Sequence, residues 1–189
     1  MYKKRCLYFA LSVIIAAGIM VMLVGHVKGR SAAPNQTTYK IPQQSERALQ
    51  TAMTHLYFAD QHNTYLSAEN RAMILPDDPS EKGRRIIDAL IEGPRGGLIR
   101  TIPEQTALRS FFLTEDGTAY VDFDNAVREN HPGGCESELM SIYSIVNSLI
   151  LNIDQIHSIK ILIEGKEALT LSGHMDLRFP FNANMLMVR

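Results

Sequence analysis

The chain has 189 residues with 19 basic and 20 acidic side chains, a formal net charge of −1, and that balance excludes a nucleic-acid surface built on excess Lys and Arg. Five of the basic residues and none of the acidic ones fall within residues 1–30, which leaves 14 against 20, a net −6, on the remainder. A mildly acidic remainder also excludes anionic lipid headgroups as its partner.

Residues Cys6 to Val24 form a charge-free apolar run of nineteen residues, flanked by Lys3, Lys4 and Arg5 before it and Lys28 and Arg30 after it. At about 1.5 Å per residue this run reaches the hydrocarbon thickness of a bilayer. The reading is a cytoplasmic tail over 1–5, a transmembrane signal-anchor helix over 6–25, a linker over 26–46 and an extracytoplasmic domain over 47–189. Orientation follows from the basic N-terminal tail, because Lys and Arg next to a first segment stay in the cytoplasm. A cleaved signal peptide is the alternative. It would need cleavage near Ser31-Ala32-Ala33, which runs straight into Pro34, and the apolar run exceeds the usual signal core.

Cys6 then lies at the inner membrane face and Cys135 in the exported domain, so the fold cannot rest on a disulfide between them. Cys135 reads as a small buried apolar residue. An intermolecular disulfide and a Cys/His nucleophile with His131 are the alternatives, although a third orienting group is missing. The linker is polar and broken by Pro34 and Pro42.

Within the domain, Leu49–Phe58 and Arg71–Leu75 read as a first strand pair. The cluster Asp77-Asp78-Pro79-Ser80-Glu81 starts a helix with Ser80 as its cap. Ile86, Ile87, Leu90 and Ile91 follow at helical spacing until Gly93-Pro94 stops it. The stretch Gly93-Pro94-Arg95-Gly96-Gly97 resembles a phosphate loop only in composition, since Gly-Lys-Ser/Thr is absent. Two strands, Leu108–Thr114 and Thr118–Phe123, flank the hairpin signal Glu115-Asp116-Gly117, with Ala119, Val121 and Phe123 on the buried face.

The longest helix is predicted over Gly134–Leu151, with Glu136 and Glu138 near the positive end of its dipole. Its buried stripe is Leu139, Ile142, Val146, Leu149 and Ile150, and Tyr143 and Asn147 border it as core edge or binding face. Ser158–Ile163 is an apolar strand, Glu164-Gly165-Lys166 a turn, and Ala168–Leu171 its hairpin partner. The order β-β-α-β-β-α-β-β predicts an α+β domain, a small mixed sheet with two main helices packed on one face.

The series Gly93-Pro94, Gly97-Leu98, Ile102-Pro103, Gly117 to Phe123, Gly133-Gly134, Glu138, Ile142 to Leu149 and Gly173 to Leu177 resembles the GerMN domain of sporulation and spore germination, over about residues 50–185. The resemblance implies a non-catalytic extracytoplasmic module with a fold similar to ring-building motifs, which scaffolds complexes at the cell envelope. Several members carry two copies of the domain or a lipid anchor, whereas this sequence holds one copy behind an N-terminal helix. The partners implied are other envelope proteins or a second copy, with the membrane reached through the anchor, no nucleic acid and no cofactor.

Candidate interaction or motif residues are Gly93, Pro94, Gly97, Tyr120, Asp122, Gly133, Gly134, Glu138, Tyr143, Asn147, His174 and Asp176. The glycines read as turn and cap positions. Asp122 or Asp124 reads as an Asx-type cap on the turn that follows the Tyr120-Val121-Asp122-Phe123 strand. A metal held by Asp122, Asp124 and Asp176 would need a loop of ligand periodicity, which the sequence lacks. His174 and Asp176 share one face of an extended segment, so the acid would orient the imidazole in a structural hydrogen bond. Phe179-Pro180-Phe181 is core closure or a partner patch. A ligand-binding sensor for cell-wall sugars or peptides, lined by Tyr143, Asn147 and the Gly96-Gly97 loop, is the alternative function.

Overall fold

The structure is a computed structural model that describes residues 50–189. The predicted tail, anchor and linker lie outside the described residues, and among the described residues no helix is long and apolar enough to cross a membrane. The element order is β1 (Gln50–Ala59), β2 (Leu66–Leu75), α1 (Pro79–Glu92), β3 (Leu108–Leu113), β4 (Thr118–Phe123), α2 (Ala126–Glu129), α3 (Cys135–Ile150), β5 (Ser158–Ile163) and β6 (Lys166–Glu167), with a short 3₁₀ turn at Met185–Met187.

The strands form two sheets where one was expected. β1 and β2 make a long antiparallel hairpin, and β3-β4-β5-β6 make a second sheet in which β4 and β5 run parallel. A parallel neighbour needs a long crossover, and α3 with its flanking loops supplies it. The hairpin turn is set by Asp60, whose Oδ1 accepts from the N–H groups of Thr64 (2.8 Å) and Tyr65 (3.2 Å). β2 begins at Leu66, five residues before the expected Arg71, and Ala68, Asn70, Ala72 and Ile74 alternate outward while Leu66, Arg71 and Leu75 are buried.

α1 is capped by Asp78, whose side chain accepts from Glu81 N, with Pro79 at the first turn. Ser80 therefore lies inside the helix instead of capping it. β6 is Lys166–Glu167, not Ala168–Leu171, because the positive φ of Glu164 and Gly165 tightens the turn to those two residues.

α1 packs against β1, β2 and β3, and α3 against β1, β2 and β5. One apolar cluster joins Leu56 and Phe58 of the hairpin, Ile86, Ile87 and Leu90 of α1, Val121 and Phe123 of β4, Ile142, Ile145 and Leu149 of α3, and Ile159 and Ile161 of β5. Burial of these side chains stabilises each by about 1.5–3 kcal/mol. Ala119, Val121 and Phe123 are fully buried, as their alternation predicted. Cys135, expected to be buried, is exposed at the first position of α3. It lies in the first turn, ahead of Glu138, the first buried residue of the helix.

Candidate functional site

α3 is buried on far more than the predicted apolar stripe. Leu139 and Ile150 are only half-buried, while Glu138, Ser141, Ser144, Asn147 and Ser148 are buried at 3% exposure or less. Two of them, Ser144 and Ser148, serve β1, because α3 lies along its outer edge. Ser144 Oγ donates to Tyr57 O (2.5 Å), and Ser148 Oγ accepts from Tyr57 N (2.9 Å). Asn152 Oδ1 accepts from His55 N (3.0 Å), and its amide donates to His55 O (2.8 Å). The backbone of Ile99 closes the remaining pair at Ala59. Ser144 and Ser148, one turn apart on one face of α3, and Asn152, in the turn just past its end, act as side-chain substitutes for a neighbouring strand. A buried strand edge without such partners would leave each N–H and C=O unsatisfied.

Glu138, one turn into α3, is fully buried. Its Oε1 accepts from Leu171 N (2.9 Å) and Ser172 N (2.8 Å), and its Oε2 from His174 N (2.8 Å) and the His174 ring at Nδ1 (3.1 Å). Burial pulls the carboxyl group upward. The N–H groups of Ser172, His174 and Met175 and the His174 ring outweigh it, so the group stays ionised below the ordinary carboxylate range. The sequence placed Asp176 beside the imidazole, and the structure corrects this. Glu138 holds His174, while Asp176 is forked to Arg178 (2.8 and 3.0 Å), whose guanidinium lowers the Asp176 pKa to about 2.

A cleft of about 350 Å³ opens beside α3, lined by Ile99 to Gln105, Asn130, Pro132, Asn63, Ser137, Met140 and Ser141. His131 Nε2 lies 2.9 Å from the Oγ of Ser141, a residue of that lining, and the pair is one that sequence spacing did not reveal. The geometry opposes a nucleophile and base. Gly133 N donates to His131 Nδ1 (3.0 Å), so Nε2 carries the ring proton and donates to Ser141. Ser141 Oγ in turn donates to the carbonyl of Thr101. Burial lowers the His131 pKa, against the charge of Glu138, and keeps the ring in this neutral form. Such an imidazole has no lone pair facing the hydroxyl it would need to activate.

The other singled-out residues serve the same internal network. Asp122 is buried and its Oδ1 accepts from Gly165 N (2.7 Å), with Arg109 Nε 3.4 Å from Oδ2. Asp124 accepts from Ala107 N instead of capping α2. Asp122, Asp124 and Asp176 thus answer to different partners. Asn147 clamps the tail by accepting from Asn184 N (2.9 Å) and donating to Asn184 O (3.1 Å).

Tyr143 meets Phe181 edge-on at 6.1 Å, and Phe181 exchanges backbone bonds with Ile159, while Phe179 is exposed. The Gly96-Gly97 loop faces Glu69 and Gln61, so the surface expected from Tyr143, Asn147 and this loop is not assembled. Pro94 is half-buried, and Tyr120 stands on β4 between Phe112 and Lys160. Gly93 ends α1 at φ 93°, where a side chain would meet the Arg100 guanidinium. Gly133 and Gly134, at φ 78° and 85°, turn the chain into α3.

With this geometry in view, the sequence matches the family described as Germane: Sporulation and spore germination, over residues 55–169. Among solved structures, the tandem GerMN domains of the sporulation protein GerM from Bacillus subtilis are similar at a TM-score of 0.57 and 23% identity, covering 70% of this chain and 46% of that one. The chain therefore spans about half of that tandem structure. The first GerMN domain of GerM alone gives a TM-score of 0.56 at 23% identity, covering 71% of this chain and 98% of that one. A protein from Clostridium perfringens described as a candidate lipoprotein gives 0.51 at 23% identity, with 73% and 91% covered. These likenesses concern the fold. No curated protein sequence matches.

Proposed function

This chain belongs to the sporulation and spore germination family, and on that premise we propose that it is a non-catalytic, membrane-anchored envelope protein. Its GerMN-like domain holds together assemblies of envelope proteins or of itself, outside the cytoplasmic membrane. One observation carries the reading. The polar groups gathered on and around α3 spend their hydrogen bonds inward, with Glu138 on a loop backbone, His131 locked as a donor to Ser141, and Ser144 and Ser148 on the β1 edge. The relatives of similar fold, a sporulation protein and a candidate lipoprotein, support an envelope setting. The process served is proposed from the family description, sporulation or germination.

The test is cross-linking of the full-length protein in its native cells, followed by mass spectrometry of the adducts. Adducts with itself or with defined envelope proteins are expected. Recovery of the monomer alone, under conditions where known complexes cross-link, overturns the proposal. So does a hydrolytic turnover that disappears with Ser141→Ala or His131→Ala.

A further inference from the structure

The two long edges of the β1-β2 hairpin are treated in opposite ways. The β1 edge is closed at His55, Tyr57 and Ala59 by α3 and Ile99. On β2, the register with β1 turns the N–H and C=O of Leu66, Ala68, Asn70, Ala72 and Ile74 outward. Leu66 is taken, because Arg189 N donates to its carbonyl and Val188 bridges to it. Ala68, Asn70 and Ala72 have no backbone partner among the described residues. All three are exposed and none carries a charge. Protected edges normally display Lys, Pro or a bulge along such a stretch.

The sequence at this edge is also a charge palindrome. Ala68-Glu69-Asn70-Arg71-Ala72 reads symmetrically about Asn70, with alanine two residues away on both sides and opposite charges at the two adjacent positions. An antiparallel strand related by a two-fold axis through Asn70 would set Asn70 against Asn70. It would set Ala68 against the second copy's Ala72, and Glu69 against the second copy's Arg71. Each outward pair would exchange two N–H···O bonds. Glu69 and Arg71 already form a pair at 2.5 Å on the inner face, so the axis would extend it into an alternating ring of four charges. A closed two-fold is the commonest symmetry of self-association.

We propose that β2 is a self-association edge, at which two copies of this chain pair antiparallel about Asn70 over Ala68 to Ala72. This rests on the assembly reading above and supplies its contact surface. The occupant is a second copy because the edge complements itself in charge and spacing. A foreign strand would have no reason to match that palindrome.

The experiment uses the full-length chain in detergent, with Cys6 and Cys135 replaced by Ser and Asn70→Cys introduced. A hydrogen-bonded antiparallel pair separates its Cα atoms by about 5.5 Å, within reach of a disulfide. Oxidation is expected to give a covalent dimer, and Thr51→Cys on the exposed far strand is expected to give none. Ala72→Pro removes only an outward N–H and leaves the β1-β2 ladder intact. In a sedimentation assay it is expected to weaken self-association about tenfold or more, because the axis deletes the donor twice. Asn70→Lys sets like charges directly opposite and is expected to weaken it too, whereas Asn70→Gln is not.

Absence of the Asn70→Cys dimer, or unchanged association in a folded Ala72→Pro protein, overturns the proposal. If adducts in cells persist with Ala72→Pro, the assembly function stands and the edge is the wrong surface. If that variant loses only adducts to a different protein, the edge binds a foreign strand and the second copy is refuted. If neither variant nor wild type gives adducts, the assembly function itself fails.

Discussion

Glu138→Gln tests whether a buried carboxylate organises the loop over residues 171–175. The substitution keeps the volume of the side chain, so packing does not change. It replaces one acceptor oxygen by an NH₂ donor. Whichever way the amide turns, it faces either the N–H groups of Leu171 and Ser172 or the N–H and ring of His174. Each buried donor left without an acceptor costs about 1–3 kcal/mol. The remaining bonds weaken as well, since bonds to a charged acceptor are roughly twice as strong as neutral ones. Two stranded donors and two weakened bonds suggest a loss of about 3–5 kcal/mol, capped by the free energy of releasing the loop locally. A domain of this size should then melt about 10 °C lower.

The pH dependence has a definite sign. The folded pKa of Glu138 is held below its ordinary value, so its contribution is present above about pH 4.3. It is lost as pH falls through the lower folded value. Urea unfolding of wild type and variant from pH 7 to pH 3 should show the gap narrowing in that acid window. A gap under about 0.5 kcal/mol at pH 7, or one constant across the range, would refute the reasoning.

Ser148→Ala should strand the buried N–H of Tyr57, cost about 1–3 kcal/mol and accelerate hydrogen exchange at that amide selectively. Gly83→Ala gains about 1 kcal/mol of helix propensity, yet the new Cβ overlaps the buried Phe111 ring. A net loss of about 1–2 kcal/mol is expected, relieved by adding Phe111→Leu, and both are read from denaturant midpoints. His131→Asn should flatten stability as pH falls below the ordinary imidazole value of about 6.5. The depressed pKa of the native ring means the unfolded chain takes up the proton first, so wild-type stability falls as pH drops there. Cys135, exposed on α3, should react with a thiol reagent in the native protein without unfolding, with Cys135→Ser unchanged in melting temperature.

Most elements were legible in the sequence because they rest on local periodicity. The Ala119-Val121-Phe123 alternation, the Glu115-Asp116-Gly117 turn and the apolar positions of both helices need no knowledge of distant residues. The misreadings came where local signals compete. The sequence reading names Ser80 as the cap, whereas the chain uses Asp78, which leaves Pro79 at the helix start. The polar residues of β2 hid its first half, since Ser67 and Glu69 share the inner face with Arg71 while small Ala68 and Ala72 stand outward. Two sheets looked like one because the break between the hairpin and β3 follows from α1 packing against both.

The candidate site divides in the same way. Glu138 and His174 stood out individually, but their pairing crosses 36 residues and depends on how the last loop folds over α3. The hydroxyl ladder on α3 carried a four-residue period from the outset. It was indistinguishable from a solvated face until β1 was laid against it. The sequence by itself determined the membrane-length apolar run, the main helices and most strands, and the family, because each depends on residue order alone. Only the tertiary structure decided which strand edge is closed and which is open, because a backbone group is satisfied or free according to what the rest of the chain brings beside it.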